Sequence, residues 1–307
     1  MSVSTVPVVV DQLHVRYGRV TAVDDVSFSV PKSEVYALLG RNGAGKSSTI
    51  QCLVGQRRAA AGECLLLGKD AWRKRRMIME RVCVVPETPD LPPGISAVEL
   101  GRFLGRVRPV WNADDFHERL ERVRVPRRLP AQRLSKGQRR QLALAAALAA
   151  EPEVLILDDP TLGLDAVVRR TLLEELVGEL ADRGTTILVT THDLAGIEGI
   201  ADRVGIMHEG RLVYDETMEG LKARFRRLRC VHGAETSTEA VGAALAPLEP
   251  AEVRHVGAVV DAVVGRADEA AIAGFRAAVD ITDLELEALS LEEIFVALCG
   301  EEPGGES

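Results

Sequence analysis

Two sets of residues in this chain have types and spacings suited to phosphate chemistry. The first is the run Gly40-Arg41-Asn42-Gly43-Ala44-Gly45-Lys46-Ser47, followed by Ser48. It fits the pattern G-x-x-x-x-G-K-S. Glycines at these positions let a backbone curl until its N–H groups face phosphate oxygens. Lys46 then reaches the outer phosphates, and the Ser47 hydroxyl suits Mg²⁺. The second set is the pair Asp158-Asp159, which closes the apolar run 154–157. A carboxylate at the carboxyl end of a buried parallel strand lies at the ligand-binding edge of its sheet. Asp158 there can hold Mg²⁺ directly or through water. Asp159 points differently and is the candidate to orient an attacking water. His192 follows another apolar run, 186–190, and is a candidate to contact a terminal phosphate.

A third segment, Leu134-Ser135-Lys136-Gly137-Gln138, carries chemistry of another kind. Ser135 and Gln138 have capping-box spacing ahead of the apolar run 142–150. Such a helix start leaves backbone N–H groups and the positive end of the dipole pointing outward. Lys136 adds charge, and Gly137 lets a ligand approach the backbone. An ordinary capped helix has the same spacing. The alternative is a phosphate-binding surface that serves a nucleotide held by a partner.

These residues need a scaffold. The runs 35–39, 82–85, 154–157, 186–190 and 204–207 are short and almost wholly apolar. Strands buried on both faces have this composition, which predicts an α/β fold with a mainly parallel sheet covered by helices. Residues 87–150 show helical patterns, with Pro89, Pro92, Pro93, Pro109, Pro126 and Pro130 and no clear strand. They are expected to form a helical insertion between two sheet strands. Two alternating segments within 5–30, either side of Tyr17-Gly18, predict an antiparallel N-terminal β-subdomain.

The pattern changes near residue 228. Predicted strands at 226–231, 252–255, 258–264 and 282–286 interleave with helices at 237–245 and 268–279. The order β-α-β-β-α-β suits a small split α+β sandwich. An amphipathic helix is expected at 290–298 and a disordered tail at 301–307. Charge follows the same division. From Leu228 onward the chain has 4 basic and 16 acidic residues, whereas residues 1–227 have 34 basic and 30 acidic. A boundary is therefore expected beside the basic run 222–229, giving domains 1–221 and 222–300.

At 307 residues, 46% hydrophobic and 27% charged, the chain has the composition of a globular protein with more than one domain. Its longest strongly apolar run, 142–150, falls far short of the ~20 residues of a membrane span. The first ten residues lack the features of a signal peptide. Cys52, Cys64, Cys83, Cys230 and Cys299 are scattered with no Cys-x-x-Cys pair, which suggests neither a disulfide framework nor a zinc site. A cytoplasmic location is expected.

Taken together and in order, the motifs resemble those of the nucleotide-binding subunit of an ABC transporter, a P-loop NTPase. Tyr17 corresponds to the adenine-stacking aromatic and GRNGAGKS to Walker A. Val85-Pro86-Glu87 stands at the Q-loop, LSKGQ at the signature and LILDD at Walker B. Leu162-Gly163-Leu164-Asp165 stands at the D-loop, and Thr191-His192-Asp193 at the switch histidine. The match covers about residues 6–220. Ser290-Leu291-Glu292-Glu293-Ile294-Phe295 also resembles the C-terminal region of ATPases in the drug- and polymer-export branch.

The resemblance implies a head-to-tail dimer closed around two ATP. Tyr17, Gly40, Asn42, Gly43, Ala44, Gly45, Lys46, Ser47 and Ser48 would bind ATP in cis. Ser135, Gly137, Gln138 and Asp165 would act in trans. Ser47, Glu87 and Asp158 would hold Mg²⁺, and Asp159 and His192 would be catalytic. A second ATPase subunit, identical or different, and an integral membrane permease are the implied partners. The helical insertion would dock the permease, which places the chain on the cytoplasmic face of the membrane.

The sequence departs from the family pattern in four places. Asp159 stands where Walker B normally continues with Glu. Its carboxylate is one methylene shorter and falls back by roughly 1 Å, a misplacement that can cost ~10²-fold in rate. Slow hydrolysis and a long-lived closed dimer are therefore expected. Glu87 replaces the Gln of many relatives, as export-branch ATPases often do. Lys136 stands within the usual Ser-Gly-Gly, where a cation beside phosphate is favourable. Arg41 replaces a common Pro without obvious consequence. The alternative to an exporter ATPase is a soluble ABC protein acting on nucleic acid or ribosomes. One Walker A, no long heptad stretch and an acidic C-terminal third weigh against it, and no nucleic-acid partner is expected.

Overall fold

Val35–Gly40, Val154–Asp158 and Thr186–Thr190 are buried almost throughout and form the middle of a six-stranded sheet. The computed structural model describes residues 6–161, 166–233 and 236–300. The strand order is Arg211–Thr217, Arg203–His208, Val35–Gly40, Thr186–Thr190, Val154–Asp158, Val82–Val85. The pairings among the last five strands are parallel. Their β-branched, apolar content fits strands packed on both faces. Glu209 and Gly210, both at positive φ, join Arg203–His208 to the edge strand Arg211–Thr217 as a tight hairpin.

A second, antiparallel sheet has the order Val20–Val30, Val8–Tyr17, Ala61–Leu66, Lys69–Asp70. The first two strands are the alternating segments of the N-terminus. The other two were not expected, because Ala61–Leu66 begins with exposed Ala, Gly and Glu and lacks alternation. One face of this sheet buries Val8, Val10, Leu13, Val15, Val23 and Val26.

The insertion is helical, as its patterning indicates. Ala97–Val107, Ala113–Arg122 and Lys136–Leu148 begin at side-chain caps on Ser96, Asn112 and Ser135. The first stops at Arg108, which is extended ahead of Pro109. Phe116, Leu120 and Leu142 are fully buried between these helices with Leu134 and Ala145. Each such side chain stabilises the packing by roughly 1.5–3 kcal/mol. Arg119, itself buried, lies 2.9 Å from Asp115. Arg122 lies 3.5 Å from Glu175 on the core helix Ala166–Arg183 and ties the insertion to that helix.

The chain divides into two compact units between Asp215 and Glu216. The division precedes 221/222 because Met218–Arg224, a helix capped by the Thr217 hydroxyl, packs with the second unit. The charge shift marks the first strand of that unit's sheet, not the onset of its packing. The second unit's sheet has the order Pro250–Val256, Val259–Val264, Arg226–His232, Ile281–Ala288 and is antiparallel throughout. Thr238–Leu245 and Glu269–Ala278 complete the β-α-β-β-α-β order. Its core joins Leu228, Cys230, Val241, Leu245, Val260 and Phe275. Leu291–Cys299 is a final helix, started by a Ser290–Glu293 capping box. Residues 301–307 lie outside the described residues.

Candidate functional site

The loop 40–45 turns from the strand Val35–Gly40 into the helix Lys46–Leu53. Gly45 sits at φ 103°, and a Cβ there would meet the Ala22 carbonyl oxygen at 2.6 Å. Only glycine fits that bend. Lys46 is buried, and its Nζ donates to the carbonyls of Gly40 (2.5 Å) and Arg41 (3.2 Å). Burial pushes its pKa down, and the nearby Asp159 and Asp158 pull it back up. Ser47 is exposed on the first turn of the helix, and Asn42 and Gly43 are exposed on the loop.

Asp158 ends its strand in register with Thr190. The Thr190 hydroxyl donates to Asp158 Oδ1 at 2.7 Å and accepts the Asp159 N–H at 3.0 Å. The Thr190 carbonyl accepts the same N–H at 2.9 Å. This clamp turns the chain so that Asp159 takes φ 48°. Asp is among the non-glycine residues best tolerated there. Asp159 is 6% exposed, and its Oδ1 is buried with no hydrogen-bond partner. Its Oδ2 lies 3.2 Å from His192 Nε2. Burial raises the Asp159 pKa and the Glu87 charge adds to that, while His192 and Lys46 counter it. His192 itself is exposed at the end of the strand Thr186–Thr190. Beside it, the Thr161 and Thr191 hydroxyls are 3.0 Å apart, and Thr191 Oγ1 accepts the Asp193 N–H.

Lys46, Asp158, Asp159, His192 and Glu87 therefore converge at one edge of the parallel sheet. The oxygen donors Ser47, Asp158 and Glu87 are the hard ligands Mg²⁺ takes, usually one or two carboxylates completed by phosphate oxygens. Asp159 Oδ1, on the residue next to Asp158, is a buried acceptor with no hydrogen-bond partner. The residues present fit Mg²⁺ and a polyphosphate.

Tyr17 lies beside the same loop. Its hydroxyl is 3.2 Å from Ser48 Oγ and donates to Gln51 Oε1 at 3.3 Å. The Arg57 guanidinium carbon stands 4.0 Å from the Tyr17 ring centroid, a cation–π contact on one face.

Ser135 and Gln138 do form the capping box. Gln138 N–H donates to Ser135 Oγ (3.1 Å), and Ser135 N–H donates to Gln138 Oε1 (3.0 Å). The capping box uses the Ser135 oxygen as acceptor and leaves its O–H unspent, while the Gln138 carbonyl oxygen is engaged in its own helix. Lys136 and Gly137, the next helical positions, lack intrahelical acceptors for their N–H groups by the geometry of a helix start. Asp165 and the rest of the expected D-loop, 162–165, lie outside the described residues.

Three further side chains touch these residues without any local sequence signature: Thr190, Arg57 and Arg140. Arg140 Nε donates to the Glu87 carbonyl at 2.8 Å, which links the helix Lys136–Leu148 to the segment after Val82–Val85. A hydroxyl ending an apolar strand beside another strand's terminal carboxylate was the available signal for Thr190.

A family model described as ABC transporter matches residues 23–162. Nod factor export ATP-binding protein I of Paraburkholderia xenovorans (strain LB400) is 37% identical over 219 residues, spanning 69% of this chain and 71% of that protein. Bacitracin transport ATP-binding protein BcrA of Bacillus licheniformis is 32% identical over 214 residues, 69% of this chain and 70% of that protein. A solved structure described as the ATP binding subunit of an ABC transporter aligns with TM-score 0.65 and 28% identity, covering 70% of this chain and 92% of that one.

Proposed function

The chain belongs to the ABC transporter family of ATP-binding subunits, and from that premise we propose that it powers export through a separate membrane permease. The family's activity is ATP hydrolysis with Mg²⁺. The export reading is supported by similarity to proteins named for Nod factor export and bacitracin transport. Among the described residues no helix is long and apolar enough to cross a membrane. In this proposal the permease supplies the passage.

The observation that carries the mechanism is the Asp159–His192 contact beside the Lys46 loop. In this reading the backbone N–H groups of 40–47 cradle the phosphates, and Lys46 leaves its loop carbonyls for the β- and γ-phosphate oxygens. Tyr17, braced by Arg57, stacks on adenine. Mg²⁺, held by Ser47 and Asp158 with Glu87 nearby, would offset the charge of the phosphates. Asp159 orients the attacking water and takes up its proton, a role its raised pKa suits. His192 bridges Asp159 to the γ-phosphate side.

The Ser135 hydroxyl and the N–H groups of Lys136 and Gly137 complete a second subunit's site in trans. Closure brings both sites together, and hydrolysis lets them part. Movement at Lys136–Leu148 passes through Arg140 to the Glu87 segment, where the permease would dock. Asp159 is shorter than the family's Glu, so closure outlasts the encounter with ATP.

The test is affinity purification of the chain from detergent-solubilised membranes. The expected result is a stoichiometric complex with an integral membrane protein whose presence changes the ATPase rate. A chain that instead purifies free of membrane protein and co-sediments with ribosomes would overturn the reading in favour of a soluble role.

A further inference from the structure

Trp72, Arg73, Lys74, Arg75, Arg76 and Met77 form an uninterrupted exposed segment leading into the short helix Arg75–Ile78. Two large apolar side chains, Trp72 at 50% and Met77 at 51% exposure, flank four consecutive cations. The segment is rooted from below. Ala71 and Ile78 are buried on either side of it, and Arg75 Nε donates to the Val54 carbonyl at 3.1 Å. Beside it lies a groove of about 470 Å³ whose lining includes Arg57, Arg58, Glu63, Asp70, Trp72 and Arg73. Asp70 partly offsets Arg73, at 3.8 Å from a guanidinium that is itself 79% exposed. Across residues 57–76 there are 7 basic and 2 acidic side chains. No nucleotide-binding role described above uses residues 72–77.

We propose that this surface binds the anionic phospholipid face of a membrane directly, independently of any permease. Two features favour a lipid surface over other anions. Trp and Met beside a basic run match the chemistry of an interface, where apolar side chains enter the acyl boundary and cations meet headgroup phosphates. The cations are also displayed on a rooted turn and not within a deep cage, which fits a sheet of diffuse charge better than one phosphate ion. A polybasic segment near an anionic surface gains about 1 kcal/mol per Lys or Arg, or roughly fivefold in partition per charge.

The full chain, in a Trp111→Phe background that leaves Trp72 as its one tryptophan, is titrated with two kinds of vesicle. One is phosphatidylcholine alone, and the other is an equal mixture of phosphatidylcholine and phosphatidylglycerol. Co-sedimentation and a blue shift of Trp72 emission are expected with the mixed vesicles only, weakening as salt rises. The triple variant Arg73→Gln, Lys74→Gln, Arg76→Gln is expected to bind on the order of 100-fold more weakly, with basal ATPase rate and thermal melting unchanged. Absence of binding to the mixed vesicles, or equal binding by the triple variant, would overturn the proposal. Release from vesicles by inorganic phosphate at unchanged ionic strength would also overturn it, by assigning the groove to a free anion. So would tight binding of single-stranded RNA without any response to vesicles. The vesicles contain no permease, so none of these outcomes depends on the export reading.

Discussion

At the sheet edge, a buried ammonium, two carboxylates and a histidine are crowded together, and one carboxylate oxygen of Asp159 has no partner. At the start of the helix Lys136–Leu148, Ser135 and Gln138 satisfy each other in two hydrogen bonds and remain in contact with solvent. The first arrangement is costly until a ligand arrives. Burial shifts both Lys46 and Asp159 toward their neutral forms, and Asp159 sits in a left-handed backbone turn. The second is a finished local structure whose first helical N–H groups and Ser135 O–H are left over from the capping box. Substitutions at the edge should thus cost hydrolysis and can even stabilise the free protein. Substitutions at the helix start should cost stability, and turnover only where two subunits meet.

The largest effect is expected at Asp159. Asp159→Asn should lower ATP turnover by ~10²–10⁴-fold, the typical range for a positioned base. The same variant should melt higher than the parent at neutral pH without nucleotide. The sign follows from linkage. A carboxyl whose folded pKa is raised gives the native state its full benefit below the unfolded pKa, and that benefit is lost as pH rises through the folded value. Asp159→Asn removes the loss, so the two melting curves should converge in acid and separate above the ordinary carboxylate range. Calorimetry across pH checks this. A variant less stable at neutral pH would mean the edge is not under electrostatic cost.

Next in size is Thr190→Val, which keeps shape but removes the hydroxyl between Asp158 and the Asp159 N–H. A hydrogen bond to a charged group contributes about 1.5–3 kcal/mol, so turnover should fall roughly 10–100-fold. The Mg²⁺ concentration for half-maximal rate should rise, while binding of metal-free ATP should stay as in the parent. A uniform loss of nucleotide binding would instead mark Thr190 as structural only.

The smallest effect is expected at the other pole of the comparison. Ser135→Ala removes a helix cap worth about 1 kcal/mol and should lower Tm by about 2–4 °C. Its nucleotide affinity as a monomer should be unchanged, but ATP-driven association of subunits should weaken. Association measured by sedimentation, with ATP and Mg²⁺, reads the difference directly.

The sheet edge and the helix start were largely legible in the sequence because both are local. Phosphate-loop glycines, a strand-terminal Asp pair and a Ser-x-x-Gln spacing each act within a few residues. The fold of the second unit was legible for the same reason, since its six elements have clear periods. The unread parts depend on contacts far apart in the chain. Thr190 reaches Asp158, Arg140 reaches the Glu87 carbonyl and Arg57 reaches Tyr17, none of which any local pattern encodes. The strand Ala61–Leu66 was missed because it is held by backbone pairing with Val8–Tyr17, while its first three residues are exposed.

In the proposed mechanism Asp159 performs the job of a longer carboxylate and sets a slow tempo. Steady-state ATP hydrolysis by Asp159→Glu, beside the parent under identical conditions, tests it most directly. Restoring the missing methylene is expected to speed turnover, by up to ~10²-fold if misplacement is the whole deficit. Turnover equal to or slower than the parent would contradict it.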